Sequence, residues 1–259
     1  MKSRLKLLSA ILVFSALLYT ACKKTSSTSS GPTLTQPQVA SQVALNIYQS
    51  LFGGLAGVDL SGGINSASTF AVHHGGKAIN DLSDPTCGLS VDTTIKSSFS
   101  IGDSSISING RVQFGFACTN GIISSFTTND NVAIGFTSPS LKLSYQVAEN
   151  LTVTALDPSN YYSNVELDGS LNSSGSYQNL TGNKGSGTTL FDYTLKKVIA
   201  AGDGSGDVLS GTATFNTQGT GPRGVWNDQG TITFEGNFTA LVNMNGKTFT
   251  VNLQTGATN

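Results

Sequence analysis

From Asp84 to the C terminus apolar residues recur at every second position, and that period restricts the chain to an all-β fold. Phe99 and Ile101; Ile106 and Ile108; Val112, Phe114 and Phe116; Val132, Ile134 and Phe136; Leu141, Leu143, Tyr145 and Val147; and Leu151 and Val153 alternate with small polar residues. The pattern resumes at Val165, Leu167 and Leu171, at Phe191, Tyr193 and Leu195, at Ile232 and Phe234, at Phe238, Ala240 and Val242, and at Phe249, Val251 and Leu253. Successive side chains on a strand point to opposite faces, so each run is a strand with one buried face, roughly ten or more in all. Asn109-Gly110, Asn120-Gly121 and Asn245-Gly246 sit between such runs and supply the residues that two-residue hairpins require. Neighbouring strands are therefore expected to be antiparallel. A sheet this large must protect its edges as a half-barrel, a closed barrel or a two-layer sandwich.

Ahead of the strands, Ala40, Val43, Ala44, Ile47, Tyr48, Leu51 and Phe52 recur at three- and four-residue spacing. Pro37 suits the first turn of a helix and Gly53-Gly54 its stop. The polar face carries no Lys or Arg, so packing on the sheet is expected rather than a place on a membrane surface. One N-terminal amphipathic helix before a long meander favours a curved sheet wrapped around it. That outline is similar to the half-barrels of lipoprotein carriers, a likeness of architecture that settles no function.

The N terminus has a different logic. Lys2, Arg4 and Lys6 precede an apolar run from Leu7 to Leu18, which ends in Leu18-Tyr19-Thr20-Ala21-Cys22. The run is shorter than the roughly 20 residues a membrane-spanning helix needs, and it has the layout of a signal peptide. The junction resembles the lipobox of bacterial lipoproteins, and Ala21-Cys22-Lys23-Lys24 is similar to the Bacteroidota type. The resemblance implies cleavage after residue 21, acylation of Cys22 and an outer-membrane address. Lys23 and Lys24, in place of acidic residues, favour the leaflet facing the periplasm over display at the cell surface. Multiple acylation matters, because one chain holds a protein only marginally. Residues 22–36 then form a Ser/Thr-rich tether and residues 37–259 a single β domain.

Only 11% of residues are charged, against about 25% in ordinary soluble domains, so Ser, Thr, Asn and Gly supply the solubility. Loss of Lys2, Arg4 and Lys6 with the leader takes the formal charge from -1 to -4. Beyond Lys23-Lys24 and Lys196-Lys197 no basic cluster exists, which argues against nucleic acid as a partner. With Cys22 taken by the anchor, Cys87 and Cys118 remain as a disulfide pair in an oxidising compartment.

Residues capable of chemistry are sparse. His73 and His74, near Asp81 and Asp84, are adjacent and would point to opposite faces of a strand, so a solvated loop is expected rather than a metal site. Asp203, Ser205 and Asp207 have calcium-loop spacing, but Val208 and Thr214 occupy the places of the needed Gly and Glu, which leaves a Gly-rich hairpin tip. No G-x-S-x-G elbow occurs. The glutamates are Glu149, Glu166 and Glu235, and the last two fall on the polar faces of strands, where carboxylates are ordinary. No catalytic residue, metal or cofactor is expected.

Binding has better candidates. Trp226 follows Gly221-Pro222-Arg223-Gly224 in what reads as a turn-rich loop, and Tyr161-Tyr162 follow Asp157-Pro158 in another. Aromatic rings beside amides suit sugars or peptides, although such a ring can also fold back to cap the sheet. The expectation is a lipid-anchored, non-catalytic binding or structural module engaging glycan or protein. The alternative is a periplasmic carrier of lipid or acyl chains.

Overall fold

A computed structural model describes residues 32–52, 60–65, 87–182 and 184–259. The leader, Cys22, Gly53-Gly54, His73, His74, Asp81 and Asp84 lie outside the described residues. Helix α1 spans Gln36–Phe52 and is followed by a 3-10 turn at Leu60–Asn65. Ten strands follow among the described residues: β1 Ser90–Ile101, β2 Ser104–Thr119, β3 Ile122–Thr137, β4 Leu141–Ala155, β5 Val165–Asn179, β6 Ser186–Ala200, β7 Val208–Gly221, β8 Gly224–Gly236, β9 Thr239–Met244 and β10 Lys247–Asn252. They form one antiparallel sheet in sequence order that does not close, so the sandwich and the closed barrel are both set aside.

Helix α1 starts where the sequence stops competing with it. The Thr35 amide donates to Gln38 Oε1 at 2.9 Å, and the Thr35 carbonyl accepts from Val39 N at 3.1 Å. This is half of a capping box, with the Gln side chain satisfying an amide that the helix leaves over. Val39, Ala40, Val43, Ala44, Ile47 and Leu51 are buried and join the interior face of the sheet in one core. Tyr193 on β6 donates to the Val43 carbonyl at 3.0 Å, Ser173 on β5 donates to Asn46 Oδ1 at 3.1 Å, and the Tyr48 ring meets Phe238 beyond β8 edge-on. One helix touches elements from β5 to β10 only if the sheet curls around it.

Most strands are longer than the apolar runs suggest. Asn109-Gly110 is a correction: it lies within β2, where Gly110 faces Val132 and a side chain would run into the Asn131 carbonyl. Asn120-Gly121 and Asn245-Gly246 are hairpin turns as expected, with φ of 53° and 79° and of 49° and 72°. Asp207, in the β6–β7 turn, accepts from Asn237 N at 2.7 Å and Phe238 N at 2.8 Å. Those two residues make the β8–β9 turn with φ of 52° and 55°, and the carboxylate holds them in that unfavourable region. Cys87 and Cys118 are disulfide-bonded, tying the end of β2 to the approach to β1.

Glycines in the strands have a second use, which is to seat aromatic rings. Tyr177 lies directly across from Gly187, Trp226 from Gly219 and Phe215 from Gly230. In each pair a β-carbon on the glycine would run into the ring. The rings lie along the sheet instead of standing off it, covering backbone that glycine alone would leave bare.

Candidate functional site

The rings over Gly187 and Gly219 form part of the floor of a groove of about 400 Å³ between α1 and the end of the sheet that carries the β5–β6 and β7–β8 turns. Tyr177, Phe191 and Trp226 supply the aromatic surface. The facing wall is the second stripe of α1, where Gln38, Gln42, Asn46 and Gln49 recur at helical spacing beside Ser41 and Leu45. Leu34 and the Pro222-Arg223-Gly224 turn stand at one side, and the C-terminal residues Gly256, Ala257 and Thr258 at another. The volume falls within the roughly 300–1,000 Å³ of small-molecule sites.

Trp226 is a partial correction. It lies on β8 rather than in a loop, and only 8% of it is exposed. Its indole Nε1 donates to Thr217 Oγ1 at 3.0 Å, and that hydroxyl donates onward to the Leu190 carbonyl at 3.0 Å. The ring is fixed from behind while still lining the groove. Tyr161 and Tyr162 are in a loop as expected, 65% and 64% exposed and packed edge-on at 5.1 Å. They sit at the opposite end of the sheet, because turns of a meander alternate between its two ends. The structure therefore does not bring the three aromatic candidates together.

Two carboxyls lie inside: Asp130, and Glu149 of the three glutamates named above. Asp130 on β3 and Glu149 on β4 are directly paired across the strands, and 4% and 2% of them is exposed. Asp130 accepts from Gln113 N at 2.7 Å, whereas neither Glu149 oxygen has a hydrogen-bond partner. Burial, with Asp130 adding to it, holds the Glu149 carboxyl well above the usual carboxylate range. Burial also raises Asp130. The signal was present: Glu149 shares its parity with Val147, Leu151 and Val153, and Asp130 shares its own with Phe126 and Val132. Glu166 and Glu235 are on strands, the first half-buried and the second exposed. Asp203 accepts from Ser205 N at 2.9 Å within its turn. Among the described residues no cluster of three or more His, Cys, Asp or Glu is placed to hold a metal ion.

Comparison with family models, curated proteins and solved structures finds no match to this chain.

Proposed function

We propose that this chain is a lipid-anchored protein of the bacterial envelope, held at the outer membrane through Cys22, whose β domain binds a small ligand in the groove between α1 and β5–β8 without transforming it. The observation that carries this reading is the lining: an aromatic floor fixed from behind by Thr217, opposed by a helical wall of uncharged amides. Such a surface offers an apolar face and hydrogen-bonding groups to one molecule at once, which is the make-up of a binding site. Arg223 is the charged side chain among the lining residues, so the described groove lacks the paired acid and base that group transfer uses. Carriage of lipid or acyl chains is the second reading, favoured by the position of the groove on the sheet end where the N-terminal chain enters: Leu34 N donates to the Val225 carbonyl at 3.1 Å.

Native mass spectrometry of the full-length protein extracted from its membrane tests the proposal. The expected spectrum shows a small-molecule adduct that Gln42→Phe, which puts a ring into the groove, removes. Bare protein in every preparation, together with no change in Trp226 emission on ligand screening, would overturn it. Loss of membrane attachment in Cys22→Ser checks the anchor separately.

A further inference from the structure

We infer that the ligand of this groove is a neutral oligosaccharide, its sugar rings lying along Trp226 and Tyr177 and its hydroxyls meeting the amides of α1. The inference rests on the binding reading above and names the class of ligand. Three observations carry it.

The first is how the aromatic rings are presented. Trp226 lies over Gly219 and Tyr177 over Gly187, each so close that a β-carbon on the glycine would run into the ring. Each ring turns one face to the sheet, and both line the groove. The Nε1 bond to Thr217 holds Trp226 in that pose. The face of an aromatic ring is the negative pole of its quadrupole, which attracts the C–H groups on the flat side of a sugar ring.

The second is the wall opposite. Gln38, Gln42, Asn46 and Gln49 fall on one stripe of α1, and from the first to the last the stripe covers about 16 Å of helix. Gln38 Oε1 accepts from the Thr35 amide and hydroxyl at 2.9 Å each, and Asn46 Oδ1 accepts from Ser173 at 3.1 Å. These two side chains keep their N–H groups to donate, while Gln42 and Gln49 have no side-chain partner among the described residues and can both donate and accept. A sugar hydroxyl does the same. An apolar ligand would strip water from this wall and leave its amides unpaired. The stripe is longer than one sugar ring, so it suits a row of linked ones.

The third is what the groove withholds. Apart from Arg223 the described lining is uncharged, and Arg223 already has an interaction within the protein, so a neutral ligand is the match. An extended peptide is commonly taken through its backbone by a free strand edge. Here β5, β6 and β7 are each paired along both sides, and Val225 on β8 already has Pro32 and Leu34 as outer partners. The groove meets its ligand with side chains.

Trp226 is the sole tryptophan, so its fluorescence reports the groove without further labelling. The experiment titrates the full-length acylated protein, in a detergent with no sugar headgroup, with linear hexasaccharides of glucose, mannose, xylose and N-acetylglucosamine. The expected result is a saturable change in Trp226 emission with at least one of them, half-complete below about 1 mM and about tenfold tighter than with the matching monosaccharide. Salt between about 0.05 and 0.5 M should not move it, because no charge is being matched. Gln42→Leu and Gln49→Leu, which keep bulk and remove the amide, should each raise the half-saturating concentration about three- to thirtyfold. Their urea midpoints should stay unchanged, and if one variant does not fold the other decides. Silence across the four hexasaccharides, no gain over the monosaccharide, binding that weakens with salt, or binding indifferent to both variants overturns the inference. If instead a capped neutral peptide or a long-chain alcohol shifts the emission, and Gln42→Phe removes that shift, the sugar is wrong and the binding groove stands. If nothing engages the groove, both fall.

Discussion

Trp226 on β8 lies directly across from Gly219 on β7, its six-membered ring over the space that a β-carbon on Gly219 would fill. The same methyl group would also stand 2.6 Å from the Thr188 carbonyl on the neighbouring strand, so neither ring nor backbone can yield cheaply. Gly219→Ala should therefore destabilise the domain by about 1–3 kcal/mol, the usual cost of overpacking. It should also shift Trp226 emission to the red as the ring leaves its seat, with the Nε1 bond to Thr217 broken. Urea titration followed by fluorescence reads both. An unshifted spectrum with unchanged midpoint would show that the ring does not depend on this glycine.

Glu149 gives the protein an unusual pH dependence. Its carboxyl is raised in the folded state above the ordinary value of 4.5, so the folded protein binds more protons than the unfolded chain at pH values above that. Stability then falls as pH rises from 4.5 through the folded-state titration, the reverse of acid denaturation. Unfolding midpoints should be lower at pH 8 than at pH 5. Glu149→Leu should raise stability at pH 8 by about 1–4 kcal/mol and flatten much of the dependence, with Asp130 supplying the remainder. A wild-type profile that climbs between pH 5 and 8 would contradict the burial of this group.

Asp207 holds the β8–β9 turn from the turn beside it. Asp207→Ala removes two charge-assisted bonds and leaves Asn237 and Phe238 in the left-handed region without a partner. The expected loss is about 1.5–3 kcal/mol. Amide exchange should quicken at residues 237 and 238 well before it does in the middle of β8. Asp207→Asn, which keeps one acceptor, should lie between the two.

The Cys87–Cys118 bridge closes a loop with a sequence separation of 31 at the outer edge of the sheet. On the chain-entropy account this is worth about 3–4 kcal/mol. The double variant Cys87→Ala/Cys118→Ala should unfold at correspondingly lower urea, and proteolysis should reach β1 before the central strands, because among the described residues it pairs with β2 alone and the bridge ties down its approach.

The strand-rich class of the fold was legible because a buried face imposes a period of two, and the helix because its core face imposes a different one. Strand lengths were not, since polar residues such as Asn109 and glycines such as Gly110 interrupt the apolar runs without ending the strands. Pro222 and Gly224 make the segment before Trp226 read as a loop, yet the parity of Trp226 matches that of Ile232 and Phe234 on the same strand. The buried carboxyls are the opposite case: their parity, shared with Val147 and Leu151 and with Phe126 and Val132, points inward while their chemical type points to solvent. The groove itself left one trace, the absence of any charged residue along α1, whose second face meets the groove rather than open water. What lies across from that face depends on how far the sheet curls, and sequence periodicity carries no measure of curvature.

The strict sequence order of the ten strands has a consequence for how the domain is assembled. Every strand pairs with its neighbour in the chain, so hairpins can zip together one after another as the polypeptide emerges, each closing a short loop. The helix obeys a different timetable. It precedes every one of these strands in the chain, yet its partners include Gln254, whose side-chain amide donates to the Tyr48 hydroxyl at 3.3 Å, and Gly256, packed against Ser41 and Leu45. A chain truncated before Leu253 would lose this fastening from beyond β10 while keeping the bonds of Ser173 and Tyr193 to the helix, so the helix would be held at its middle and loose along the flank that Gly256 covers.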